Sequence, residues 1–365
     1  MNEPLIIDAH EDLAWNILSF GRDYTLSAAE TRQREQGSLA PVVNGDALLG
    51  WPDYQQGRVA IVFTTLFVTP ERHRVSDWDQ QCYASDEQAH DLYSRQLDVY
   101  DRLADTHPDM FRKIEKQSDL QAVLGPWQHD DSEQHPVGMV VLMEGAEGVR
   151  EPAEVEDWYE RGVRIIGPAW AGTRFCGGTR EPGGLTKEGY ALLDHMAELK
   201  ITLDLSHMDE KAALQALDFY PGAIIASHAN ALALLKESHS NRHLTDQVLQ
   251  GLLDRDGTVG IVPHNNFLLP GWKDTDGRAA LTLEHVVHQI DYICQMAGNA
   301  RHVGIGTDFD GGFGRSSVPA EIDTIADLRK LIPILNQKGY TQDDIAAILG
   351  NNWLAHLQNS LPEVV

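Results

Sequence analysis

His10 and Asp12 stand two residues apart where the apolar run LIIDAH ends, and residues two apart on a strand point to the same side. An imidazole and a carboxylate so placed can reach one ion together, and the pair suits zinc, whose nitrogen and oxygen ligands sit at about 2.0 to 2.2 Å. Alone, such a pair is an ordinary strand end running into a charged loop. The rest of the chain repeats the pattern, because further apolar units end at Glu144, His207, His228, His264 and Asp308. A carboxylate has two oxygens, so Glu144 can bridge two ions, with His10 and Asp12 on one and His207 and His228 on the other. Two divalent ions about 3.5 to 4 Å apart can share a hydroxide and polarise the atom it attacks. Asp308 is then suited to take the proton from that water and pass it to a leaving amine.

Side chains so scattered in sequence meet only if the elements carrying them converge. The apolar units are LIIDAH at 5–10, RVAIVFTTLFV at 58–68, VGMVVLMEG at 137–145, GVRIIGPAW at 162–170, ITLDLSH at 201–207, GAIIASH at 222–228, TVGIVPH at 258–264 and HVGIGTD at 302–308. Helix-like stretches such as EGYALLDHMAEL, TDQVLQGLLDRD and TLEHVVHQIDYICQM separate the later ones, and the span from about Asp77 to Val123 reads as helical throughout, with Leu92, Tyr93, Leu97, Tyr100 and Leu103 at helical spacing. Continuous apolar strands alternating with helices fit a parallel sheet covered on both faces. Two closures compete, an open doubly wound sheet and a (β/α)8 barrel. No GxGxxG follows the first strand, and GIGTDFDGGFG at 304–314 comes too late and is too acidic to cradle phosphate. The barrel is favoured, as one domain over residues 1–365 with insertions after strands two and four, since the C-terminal strand ends of a barrel share one mouth.

Composition narrows the partners. With 55 acidic against 29 basic side chains the formal charge is −26, so there is no basic patch for nucleic acid. Three distant cysteines give neither a disulfide framework nor a cysteine metal site. No apolar segment reaches about 18 residues and no basic leader precedes the first strand, which points away from a membrane and toward a reducing cytoplasm.

These residues carry a resemblance. The blocks DAHEDL at 8–13, LMEGAEG at 142–148, GGLTKEGYALLDHM followed by LDLSH within 183–207, IIASHA at 224–229, NRHLTD at 241–246, VGIGTDFDG at 303–311 and the closing GNNWLAHLQ resemble, in order and over almost the whole chain, the membrane (renal) dipeptidase family of dinuclear zinc enzymes within the amidohydrolase superfamily. The resemblance implies a (β/α)8 fold, two zinc ions and hydrolysis of a dipeptide amide bond. It implies His10 and Asp12 on the first metal, Glu144 as bridge, His207 and His228 on the second, Asp308 in proton transfer and Arg242 as receiver of the substrate's terminal carboxylate. A homodimer is left open, with no sequence feature that marks an interface.

One block departs from the family. Where its characterised members carry a Thr-His pair that contacts the substrate, this chain reads IIGPAWAGTRFCGG, with Gly167 and Pro168 in that place. Proline can neither donate a hydrogen bond nor bind a metal, so Trp170 and Arg174 are the candidates for a rebuilt substrate pocket. Dipeptide hydrolysis leads; an amidohydrolase of N-acyl amino acids or lactones, or a catalytically silent relative, are the alternatives.

Overall fold

In the computed structural model, which describes residues 3–128, 135–235, 238 and 240–363, the eight apolar units form parallel strands: β1 (Ile6–Glu11), β2 (Val59–Phe67), β3 (Val137–Glu144), β4 (Val163–Gly167), β5 (Thr202–Asp204), β6 (Ile224–Ile225), β7 (Val259–Ile261) and β8 (Val303–Ile305). Their spatial order is β6-β5-β4-β3-β2-β1-β8-β7, and a parallel bridge between Ala226 and Val259 joins the two ends. The sheet therefore closes as a barrel. Strands buried on both faces need no polar alternation, and every residue of β1 and β3 is buried.

The strands are shorter than their apolar runs. β4 stops at Gly167 because Pro168 has no N–H for the ladder. Beyond it a hairpin, Cys176–Gly178 against Glu181–Leu185, turns back toward the barrel mouth. The expected helix across 77–123 is also corrected. Ser85 caps a helix over Asp86–Thr106, with its hydroxyl accepting from the Gln88 N–H. The chain then breaks at His107-Pro108, and Phe111–Lys113 pairs in parallel with the first residues of β3 before a second helix at Gln117–Gln128. That pairing covers the part of β3 that β4, which joins only at Val141, leaves open.

The closing helix, Asn352–Ser360, plugs the end of the barrel opposite the mouth. Trp353 Nε1 donates to the Ile305 carbonyl at 2.9 Å, and Asn352 Nδ2 donates to the Ala300 and Val303 carbonyls, each at 2.7 Å. Gly304 is required beneath it, because a Cβ there would lie 2.2 Å from the Trp353 indole nitrogen. Among the described residues no helix is long and apolar enough to cross a membrane.

Candidate active site

β3 delivers Glu144 between Phe67 of β2 and Gly167 of β4. Its Oε2 lies 3.3 Å from His10 Nε2, while Oε1 lies 3.0 Å from His207 Nε2 and 3.4 Å from His228 Nε2. One buried carboxylate thus faces three buried imidazoles, one on β1 and two just beyond the ends of β5 and β6. The donor atoms of His10, Asp12 and Glu144 all lie within 4.8 Å of one another, and so do those of Glu144, His207 and His228 and those of His10, His228 and Asp308. Two ion-sized groups share Glu144.

The donors are aimed by neighbours. Asp12 occupies the N-cap position of the helix Leu13–Phe20 yet makes no capping bond; its carboxylate is turned to the site, where the Thr65 hydroxyl donates to it. The Ser227 hydroxyl gives its proton to Asp204 Oδ2 at 2.5 Å and so accepts from His228 Nδ1, 2.8 Å away. That tautomer leaves the Nε2 lone pair for the site. Thr179, at the hairpin turn, holds His207 Nδ1 at 3.0 Å. Both ring nitrogens of His10 are buried and, among the described residues, without a hydrogen-bond partner. Buried polar atoms are seldom left so, and a set of imidazoles and carboxylates fits a pair of divalent ions of the zinc type.

The charges are strongly coupled. Burial opposes an imidazolium at His10, but Glu144, Asp12 and Asp308 prevail and hold its pKa up at about 10. Burial together with Arg242 takes His207 down to about 4, and burial together with His10 puts His228 well below its usual value. Burial would raise Glu144, yet the histidines, His10 foremost, keep it well below the carboxylate range. Burial lifts Asp12 to about 6 against the pull of His10. Asp308 is driven well above its ordinary value by burial, with Asp12 and Glu144 adding repulsion.

Asp308 sits in the left-handed region at φ 58°, and its loop is tied down on both sides. Thr307 donates to both oxygens of Asp8, at 2.7 Å from its N–H and 2.5 Å from its hydroxyl. Asp310 accepts from the Leu48 N–H at 2.9 Å and pairs with Arg22 at 3.1 Å. Gly311 clears the space, since a Cβ there would meet Asp308 Oδ1 at 2.2 Å and Asp12 Oδ2 at 2.7 Å. Above the acids opens a cavity of about 860 Å³. Arg242 lines it, buried, with Nη2 donating to the His228 carbonyl at 2.7 Å while Nε and Nη1 have no hydrogen-bond partner among the described residues. Trp170 forms part of the wall, its ring centroid 5.2 Å from Phe67 and 6.1 Å from His207. His264 lines the cavity too, stacked on Phe313 at 4.2 Å and away from the metal donors.

Arg174 is the exception among the expected residues. Its guanidinium bonds Asp86 at 2.9 Å and the Val149 carbonyl, and it does not belong to the cavity wall. The local sequence gave no warning, because Asp86 lies 88 residues earlier. Thr65, Thr179, Asp204 and Ser227 were not anticipated. Both site histidines on β5 and β6 follow a serine, in LDLSH and IIASH, which was the available signal.

Residues 1–359 match the family described as membrane dipeptidase, peptidase family M19. A Klebsiella pneumoniae protein described only as an uncharacterised protein in the pqqA 5′ region is 36% identical over 61% of this chain and 82% of its own length. Dipeptidase aclJ of Aspergillus oryzae is 26% identical over 85% of this chain and 70% of its own. A Rhodobacter sphaeroides metallopeptidase, solved with a phosphinate mimic of the dipeptide L-Ala-D-Ala, superposes with a TM-score of 0.77 at 23% identity, covering 98% of this chain and 100% of that one.

Proposed function

The chain belongs to the membrane dipeptidase family, and from that premise we propose how its residues divide the work of metal-dependent dipeptide hydrolysis. The observation that carries the reading is Glu144 with an imidazole 3.0 to 3.4 Å from each of its oxygens. His10 and Asp12 would hold one divalent ion and His207 and His228 the other, with Glu144 within reach of both; imidazole and carboxylate donors favour zinc. When bound, such a pair supplies the Lewis acidity that ionises a water and polarises an amide carbonyl. Asp308 accepts the proton of the attacking water and hands it to the departing nitrogen. Arg242, braced by the His228 carbonyl with Nε and Nη1 unused among the described residues, receives the substrate's terminal carboxylate in a planar fork that lysine cannot reproduce. Trp170 walls the side of the cavity nearest His207. The unpaired thiols of Cys82, Cys176 and Cys294 support a reducing, cytoplasmic setting.

Zinc-loaded protein is expected to hydrolyse free dipeptides, to lose that activity on chelation and to recover it when zinc returns. Against C-terminal dipeptide amides the wild type strongly prefers the acid, and Arg242→Ala loses most of that preference. Equal kcat/KM for acid and amide in the wild type would overturn the carboxylate clamp, and turnover indifferent to chelation would overturn the metal reading.

A further inference from the structure

Three cationic side chains line the cavity, Arg180, Arg242 and Lys273, and among the described residues none of them is paired with a carboxylate of the chain. In a molecule of net charge −26 that is unexpected, and neighbouring arginines behave otherwise. Arg72 bonds Glu181 at 2.7 and 2.8 Å, and His73 approaches the same carboxylate at 2.8 Å. Glu181 adjoins Arg180 in the chain, so the counter-charge nearest in sequence is already engaged.

Arg180 is held at the mouth by design of the hairpin rather than by its own side chain. It occupies the two-residue turn between Gly178 and Glu181 with φ 68°, a region that residues other than glycine rarely adopt outside functional or over-determined sites. Thr179 beside it is fastened to His207. The Arg180 N–H donates to Asn241 Oδ1 at 2.9 Å, and Asn241 Nδ2 donates to the Gly178 carbonyl and to Asp209, each at 2.9 Å. Asn241 is followed directly by Arg242. The backbones bearing the two arginines are therefore cross-linked, while the Arg180 guanidinium stands 5.9 Å from the centroid of the Trp170 ring.

We propose that Arg180 is a specificity-determining residue that receives a second carboxylate of the substrate, so that the preferred substrates are dipeptides ending in an acidic residue, Asp or Glu. The inference rests on the dipeptidase reading above, in which Arg242 takes the terminal carboxylate. A cation tethered beside that clamp meets the side chain of the same residue, whose carboxylate lies only one or two methylenes from the backbone. A guanidinium grips a carboxylate bidentately, and Arg180 lines the cavity with no carboxylate partner among the described residues. Lys273, on another loop, is a further cation on the cavity wall.

The test compares Ala-Glu with Ala-Gln and Ala-Asp with Ala-Asn on the zinc-loaded enzyme. In the wild type kcat/KM favours each acid over its amide by about tenfold. In Arg180→Met that ratio falls to within about twofold, and Arg180→Lys keeps part of it. Arg95→Ala removes the same charge from the exposed face of the helix Asp86–Thr106 and keeps the wild-type ratio. A ratio near one in the wild type, or an undiminished ratio in Arg180→Met, overturns the proposal while leaving the dipeptidase reading intact. Failure to turn over any of these dipeptides would instead count against that reading, and calorimetric binding of Ala-Glu and Ala-Gln then decides for Arg180. Tighter binding of Ala-Glu that is lost in Arg180→Met supports it, and equal binding overturns it.

Discussion

Asp308 shows why a side chain's role is set by what surrounds it. Thr307 and Asp310 fasten its loop, Gly311 makes room for it, and its own carboxylate is left facing His10 at 3.9 Å. A residue needed only for structure would itself carry such bonds. Asp308→Asn keeps the shape and removes proton exchange, so kcat is expected to fall by at least about 100-fold with metal content and melting temperature nearly unchanged. Kinetics combined with elemental analysis checks this; near-normal kcat would exclude the proton-transfer role. The donors themselves were legible in the sequence because each ends an apolar run, and a barrel gathers such ends in one place. Their supports were not. Ser227 matters through Asp204 on a neighbouring strand, and Arg180 through Asn241, pairings that depend on register rather than on residue type. Arg174 misled for the same reason, its charge being consumed by Asp86 and a carbonyl from distant segments.

At the scale of elements, all eight strands were readable from apolar runs, whereas their ends and the long helix were not. Helical spacing around Leu92 to Leu103 continues beyond the point where Pro108 and the pairing of Phe111 with Val137 end the helix, because periodicity carries no record of a competing sheet edge. The closing helix offers an element-scale prediction. His356, partly buried on it, has Nε2 3.1 Å from the Thr202 hydroxyl at the start of β5, and burial lowers its pKa to about 4. The unfolded chain binds a proton near pH 6.5, the folded one only near 4, so between those values the unfolded state holds more protons and is favoured as pH falls. This group's contribution is complete above 6.5 and declines toward 4, by up to about 1.4 kcal/mol per pH unit. Denaturant unfolding of the wild type and His356→Gln at pH 7, 6, 5 and 4 should show the wild type losing its advantage across that window. A difference that does not change with pH would show that His356 is protonated alike in both states.

For the whole molecule, we propose that residues 1–365 form one barrel domain, a reading supported by its first and last strands being neighbours, with Asp8 in register with Ile305 and Arg329 paired to Glu3. One body then carries the entire charge of −26. The buried acids of the site are held among histidines and Arg22, but most carboxylates are on the surface, where an excess over cations leaves many unpaired. Self-repulsion of like charges destabilises a compact state, and the unfolded chain relieves it by moving the charges apart. Salt screens this repulsion, because the Debye length falls from about 30 Å at 0.01 M to about 8 Å at 0.15 M. Exposed ion pairs such as Arg161 with Asp98 weaken under the same screening, yet each contributes only about 0 to 1 kcal/mol, and acidic side chains outnumber basic ones by 55 to 29. Repulsion therefore dominates, and the melting temperature of the zinc-loaded protein is expected to rise by a few degrees as sodium chloride increases from 0.01 to 0.15 M, with potassium chloride giving the same result. Zinc saturation is kept constant throughout, so that ion binding at Glu144 does not enter the comparison. A melting temperature that falls with salt would mean that paired charges outweigh the net excess.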